Sequence, residues 1–288
     1  MKGNKNRPNI IFTKTVAAGN DFIIIDNRQK KLKSKLKYTY SELAKKLCQR
    51  HFSIGADGLI ILENPTDPLK ADFKMLYFNS NGSQAAMCGN GARCIAYYAY
   101  MNKIADREMQ IETLSGIIKA KLTGTKVRIL LPEPKDIKVD FSLKINSKEL
   151  NVSFVNTGVP HTVIFVSELQ SVDVKNLGRQ IRYHKKFLPE GTNVNFVKVV
   201  SKHELKIRTY ERGIEGETYA CGTGAVASAV ISGIKNLVKS PVKCKTSSGE
   251  ILTVYFKATT QKGLLTPVYN VYLEGKVKIV FTGCVDCV

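Results

Sequence analysis

The chain has 288 residues, 43% hydrophobic and 24% charged, the balance of a folded globular protein and more than one core ordinarily serves. Its net charge of +20 raises nucleic-acid binding, yet the densest basic run, Lys30 to Lys37, has few aromatics to stack on bases, and no RNP, helix-turn-helix or zinc-finger signature accompanies it. The charge therefore reads as a solvated lysine-rich surface, and neither nucleic acid nor membrane is expected as a partner, since no run approaches the roughly 18 apolar residues of a span. Met1 to Pro8 lacks the features of a secretory leader, and seven cysteines, an odd number, do not make a disulfide framework, so a reducing cytoplasmic setting is expected.

Ile10 to Asp26 predicts two strands around the turn Ala18-Gly19-Asn20-Asp21, with Phe22-Ile23-Ile24-Ile25 a buried run. Ser41 is read as the N-cap of a helix bearing Leu43, Ala44, Leu47 and Cys48. Leu59 to Leu62 and Phe73 to Asn79 form a strand pair across the turn Asn64 to Pro68, and Asn79-Ser80-Asn81-Gly82 breaks the second strand. Ala92 to Met101 is apolar around most of its surface, which predicts a helix enclosed on all sides. Strands follow at Ile111 to Gly116 and Val127 to Leu131, with Leu131 to Asp136 as linker. Beyond it, strands are predicted at Val152 to Asn156, Thr162 to Val166, Val194 to Val200 and Leu205 to Tyr210. In the last of these, Leu205, Ile207 and Thr209 alternate with outward-facing Lys206, Arg208 and Tyr210. A second enclosed helix, Ala225 to Ile234, precedes strands at Glu250 to Phe256 and Tyr272 to Phe281. Cys284 and Cys287 have C-x-x-C spacing, but no second pair accompanies them, so the tail is not read as a metal site.

One stretch is written twice. Met87-Cys88-Gly89-Asn90-Gly91-Ala92 returns 133 positions later (221 − 88) as Ala220-Cys221-Gly222-Thr223-Gly224-Ala225. Its surroundings repeat as well: Phe78-Asn79 with Tyr210-Glu211, Gly55-Ala56-Asp57-Gly58 with Gly191-Thr192-Asn193-Val194, and Gly19-Asn20-Asp21-Phe22 with Gly158-Val159-Pro160-His161. The expected architecture is α+β, with two pseudo-symmetric domains, each a mixed or antiparallel sheet or barrel wrapped around a central helix. Residues 9–132 would form the first domain, completed by the strand 276–288, and residues 133–275 the second.

Each copy places a thiol where the first backbone N–H groups of a helix have no partner, a position that attracts anions and favours a thiolate. Two such thiols on opposite faces of one α-carbon form a two-base site: one takes the α-hydrogen and the other returns a proton, inverting the centre without metal or cofactor. The two must then hold opposite protonation states, and their titrations belong to the pair. Backbone N–H groups of Gly89-Asn90 and Gly222-Thr223, aimed at the α-carboxylate, would stabilise the carbanion, and the glycines would let the backbone come close.

These motifs, in order along nearly the whole chain, resemble those of the cofactor-independent diaminopimelate epimerases: Gly19-Asn20-Asp21-Phe22, Gly55-Ala56-Asp57-Gly58, Phe78-Asn79-x-x-Gly82, Cys88 to Arg93, Pro160-His161, Gly191-Thr192-Asn193, Tyr210-Glu211-Arg212-Gly213 and Cys221 to Ala225. The resemblance implies interconversion of LL- and meso-2,6-diaminopimelate in lysine and peptidoglycan-precursor synthesis, one cysteine from each domain, and a homodimer. It implies that Cys88 and Cys221 are the acid/base pair, that Asn20, Asn79, Asn193 and Arg212 hold substrate, that Glu211 holds the reacting ammonium, and that His161 sits near the centre. Arg93 and Asp57 are read as structural. The chain departs from the family at Val159, where many members have Asn, with Asn156 as the nearby substitute, and at Gly58, where some carry a polar side chain. The competing readings are a related racemase of another amino acid and a non-catalytic thiol switch or basic binding protein.

Overall fold

The computed structural model describes residues 9–30, 32, 38–261 and 264–286, without the side chains of 260–267. Most of the basic run, and Cys287 with it the Cys284–Cys287 spacing, lie outside the described residues. The chain divides into two compact units: one runs up to Ile129 and takes in the chain from Lys276 onward, and the other is Leu130–Gly275.

In the first unit β1 (Asn9–Ala17) and β2 (Asn20–Asp26) make a two-residue hairpin whose turn residues, Ala18 and Gly19, both have positive φ, the handedness that suits twisted strands. α1 (Tyr40–Leu47) leads to β3 (Gly58–Glu63), which lies parallel to β2 with Phe22 opposite Gly58. β4 (Phe73–Asn79) returns antiparallel to β3 and carries the two-residue β5 (Gln84–Ala85). α2 (Gly89–Met101) then crosses to β6 (Glu108–Thr113), parallel to β4, and β7 (Gly116–Thr123) and β8 (Lys126–Leu130) follow antiparallel. The last strand of the chain, β18 (Lys278–Asp286), pairs antiparallel with β1.

The second unit repeats this order. β9 (Lys135–Ile145) and β10 (Lys148–Asn156) are antiparallel, as are β10 and β11 (Pro160–Phe165). After α3 (Val174–Arg182) comes β12 (Asn193–Ser201), parallel to β11 with His161 opposite Asn193. β13 (Glu204–Glu211) pairs antiparallel with β12 and carries β14 (Gly216–Thr218). α4 (Gly222–Ile234) leads to β15 (Val242–Lys245), parallel to β13, and β16 (Ile251–Gln261) and β17 (Leu264–Lys276) follow. These registers align Phe22 with His161 and Gly58 with Asn193, one residue away from the match of Gly55 to Gly191 that the sequence suggests.

Parallel central strands are buried on both faces, which explains the unbroken apolar run Phe22–Ile25. Ile23, Ile25, Leu59 and Ile61 pack under Leu43, Ala44 and Leu47 of α1, and α2 covers the opposite face. In the second unit Val194, Phe196 and Ile164 pack under Val174 and Ile181 of α3. Every residue of α4 from Gly224 to Ile234 is buried. α2 is less enclosed, because Tyr97, Tyr98 and Tyr100 are half-buried and Met101 is exposed.

Other expectations are corrected. The N-cap of α1 is Thr39: its hydroxyl accepts from Glu42 N and its N–H donates to Glu42 Oε2 at 2.8 Å, a capping box, while Ser41 donates to the Gly82 carbonyl. Tyr210 is buried, because its ring packs on α3 at Gly178, where a Cβ would stand 2.5 Å from Tyr210 Cβ. Tyr272 to Phe281 is two strands, interrupted at Val277, whose N–H turns to the Thr125 carbonyl. Among the described residues no helix is long and apolar enough to cross a membrane.

Candidate active site

Cys88 is the N-cap of α2. Its backbone is extended (φ −137°, ψ 116°), and Gly91 N donates to its sulfur at 3.4 Å. Cys221 caps α4 in the same way (φ −120°, ψ 115°), with Gly224 N donating to its sulfur at 3.4 Å. Sulfur thus takes the place that a Ser or Asp oxygen usually holds, next to the positive end of the helix. The glycine that this packing requires is the second of the motif. A Cβ at Gly224 would stand 2.4 Å from Asn195 Oδ1, and one at Gly91 would stand 3.2 Å from Ile60 and Met75, whereas at Gly89 the nearest atom is an ordinary 3.7 Å away.

The two thiols have different neighbours. Burial pushes the Cys88 thiol up, but the N–H groups of Gly91 and Asn90, the Arg93 guanidinium and a hydrogen bond from Tyr77 pull it down. Cys221 is pushed up to about 12, first by burial and then by the Glu211 carboxylate; Thr223, whose hydroxyl lies 3.5 Å from the sulfur, and Gly224 act against these. Burial also raises the Glu211 carboxyl, with Thr218 acting the other way, and among the described residues no cation lies within ion-pair distance of it.

In the first unit the predicted residues form a chain that ends on the helix. Asp57 accepts from Asn20 Nδ2 at 2.9 Å and is ion-paired with Arg50. Asn20 Oδ1 accepts from Asn90 Nδ2 at 2.5 Å, and Asn90 Oδ1 accepts from Arg93 Nη2 at 2.6 Å. Arg93 is fully buried, and its side chain ties back to Asn90. Asn79 accepts from the Tyr77 hydroxyl at 3.0 Å and donates to Ser83 at 2.9 Å.

In the second unit Asn193 joins two strand ends: it donates to the Pro160 carbonyl at 2.9 Å and accepts from Arg212 N at 2.8 Å. The Arg212 guanidinium donates to the Glu190 carbonyl at 3.0 Å. His161 is fully buried and its pKa falls to about 3, first through burial and then through the Arg212 charge, so the ring is neutral. Its Nδ1 faces Asn195 Nδ2 at 3.1 Å, which puts the ring proton on Nε2, a buried atom with no protein partner among the described residues. Asn156 accepts from Gly158 N at 3.0 Å, closing its own turn, and Val159 offers no side-chain hydrogen bond.

Sequence reasoning missed Tyr77 and Asn195. Both are legible by strand period, since Tyr77 lies two residues before Asn79 and Asn195 two after Asn193, on the same faces. Asn195 supports both His161 and Gly224, and its Oδ1 accepts from Thr209 at 3.0 Å. Among the described residues no group of three His, Cys, Asp or Glu side chains is placed to hold a metal.

Residues 12–132 and 153–280 match the family described as diaminopimelate epimerase. The chain is 46% identical to the diaminopimelate epimerase of Aquifex aeolicus, covering 92% of this chain and 96% of that one, and 43% identical to that of Hydrogenobaculum sp., covering 95% and 98%. Among solved structures it is similar in fold to a probable proline racemase from Agrobacterium radiobacter (TM-score 0.70, 14% identity, 95% and 92% of the chains) and to a PhzF-family phenazine biosynthesis protein from Bacillus anthracis (TM-score 0.70, 14% identity, 96% and 99%). The fold is thus shared with proteins of other names, while the sequence match is specific: this chain belongs to the diaminopimelate epimerase family.

Proposed function

We propose that this chain is an isomerase that interconverts LL- and meso-2,6-diaminopimelate by two-base proton transfer, without cofactor, in lysine and peptidoglycan-precursor synthesis. The observation that carries this reading is the pair of thiols capping two helix N-termini in matching geometry, with the Arg93 cation near one and the Glu211 carboxylate near the other. In this reading Cys88 and Cys221 approach opposite faces of one α-carbon. A thiolate at one helix start takes the α-hydrogen, and the thiol at the other gives its proton to the carbanion, so the centre inverts and the roles of the sulfurs exchange. N–H groups of Gly89, Asn90, Gly222 and Thr223 receive the α-carboxylate, whose charge rises as the carbanion forms; such pre-organised donors contribute about 3 kcal/mol each.

Glu211 binds the reacting ammonium. The unpaired substrate cation then offsets the carboxylate charge that holds Cys221 protonated, so substrate binding itself readies that thiol. Neutral His161 donates through Nε2 near the centre. Asn20, Asn79, Asn193 and Arg212 serve the substrate site, and the hydrogen bonds above add that Asn20 and Asn193 also hold Asn90 and Arg212 in place. The reading carries with it a homodimer in the cytoplasm, which sedimentation and fractionation would check.

Val159 and the engaged Asn156 favour one second reading, a thiol racemase for an amino acid without a distal amino-carboxylate. Incubating reduced protein with LL-diaminopimelate and, separately, with a panel of monocarboxylic amino acids, followed by chiral separation, decides between them. Formation of the meso isomer, absent in Cys88→Ala and Cys221→Ala, supports the epimerase; turnover of the panel alone overturns it.

A further inference from the structure

Tyr77 lies next to the Cys88 sulfur, and nothing in the repeat calls for it. Its ring occupies the space above Gly58: a Cβ there would stand 2.5 Å from Tyr77 Cε2 and 2.9 Å from its hydroxyl oxygen. Edge-to-face contact with Phe22, at 6.0 Å between centroids, fixes the ring from the other side. Cross-strand pairing of Tyr77 with Ala85 puts the side chain three residues from Cys88. The hydroxyl then has two partners, Asn79 Oδ1 at 3.0 Å and the Cys88 sulfur, but only one proton to give. In the second unit the corresponding pair differs. Asn193 replaces Gly58 and Thr209 replaces Tyr77, and the Thr209 hydroxyl donates to Asn195 instead of reaching sulfur.

We propose that Tyr77 is a positioning residue for Cys88: its hydroxyl donates to Asn79 while Cys88 is a thiol and turns to donate to the sulfur when Cys88 is a thiolate. No bond to the phenolic proton breaks; the proton lost by Cys88 goes to solvent or substrate, and Tyr77 changes only its acceptor. The phenol keeps its proton throughout, since burial and the nearby Cys88 and Asp57 charges raise its pKa. The groups of this unit that face the pair are Arg93 of α2, which favours the thiolate, and Asp57 and Cys48, which act on the phenol. This inference rests on Cys88 being a reacting group, and it assigns that thiol a switchable donor that the repeat does not give Cys221.

The test reads the pH dependence of Cys88 alkylation by iodoacetamide, followed on the Cys88 peptide by mass spectrometry, in Cys221→Ala protein without substrate. In this background Tyr77→Phe should move the midpoint up by about one pH unit, or about tenfold less thiolate below it, the size of a hydrogen bond to a charged sulfur. Asn79→Ala removes the acceptor that competes in the thiol state and should move the midpoint down. A Tyr77→Phe midpoint that stays or falls, or an Asn79→Ala midpoint that stays or rises, overturns the proposal. If Tyr77→Phe does not fold, as thermal melting would show, the sign of the Asn79→Ala shift decides alone. Because no turnover enters the readout, the result stands apart from whether diaminopimelate is the substrate.

Discussion

The N-termini of α2 and α4 share a backbone and differ in what surrounds it. Both begin with an extended Cys whose sulfur accepts the third N–H of a 13-residue helix at 3.4 Å. Five residues into α2 stands the buried Arg93; five residues into α4 stands the buried Val226. Across from Cys88 is the Tyr77 hydroxyl, and across from Cys221 is the Glu211 carboxylate. Duplication thus supplies two matching anion-attracting caps: burial raises both thiols, but Arg93 and Tyr77 oppose the rise at Cys88 whereas the Glu211 carboxylate adds to it at Cys221. A two-base exchange needs such a difference, because two thiolates could not deliver a proton and two thiols could not take one.

The comparison breaks most sharply at the sulfurs. Cys88→Ala and Cys221→Ala should each lower kcat for LL-diaminopimelate by about 10³-fold or more, the upper range for a positioned acid or base; retained turnover in either would make the caps unequal in role. Next in size, Glu211→Gln should lower kcat/KM by about 10²-fold, as expected when one member of a buried charge pair is neutralised. In the same variant the alkylation midpoint of Cys221 should fall, since the charge that raises it is gone.

At the level of packing, Gly224→Ala should cost about 1–3 kcal/mol in urea unfolding, because the added methyl meets Asn195 Oδ1. Gly89→Ala, whose added methyl meets only Ile129 at an ordinary 3.7 Å, should stay within about 0.5 kcal/mol. The remaining effect is a slope. His161 is neutral when folded down to about pH 3, while the unfolded chain takes up its proton near 6.5. Its contribution is therefore complete above pH 6.5 and is lost as pH falls from there towards 3, by at most about 1.4 kcal/mol per unit. Thermal melting of His161→Gln should lack that part of the acid slope, and no residue of the first unit supplies its counterpart, since Phe22 occupies the matching position.

The caps were legible in the sequence because Cys-Gly-x-Gly-Ala is short, local and written twice, and Phe22–Ile25 because its apolar run suits a strand buried on both faces. The start of α1 is legible too, since Thr39-x-x-Glu42 spells a capping box, whereas Ser41 lies inside the helix. The burial of Tyr210 was not legible, since it depends on α3 coming within reach at Gly178, a contact between residues distant in sequence. Asn20 and Asn193 could be picked out as site residues, but not that each would spend its amide on a neighbour, Asn90 in one case and the Pro160 and Arg212 backbone in the other. Strand period puts Tyr77 on the face of Asn79, but its approach to Cys88 is not legible, because it depends on the absence of a side chain at Gly58 on the adjacent strand.

The most direct test follows the first turnovers of LL-diaminopimelate in heavy water, with deuterium read by mass spectrometry in recovered substrate and in product. If one sulfur takes the α-hydrogen and the other delivers a solvent-derived one, early meso product carries one deuterium at the inverted carbon while the remaining LL substrate is still unlabelled. Early product that retains its original hydrogen would mean that a single base serves both faces, and would contradict the division of roles between Cys88 and Cys221.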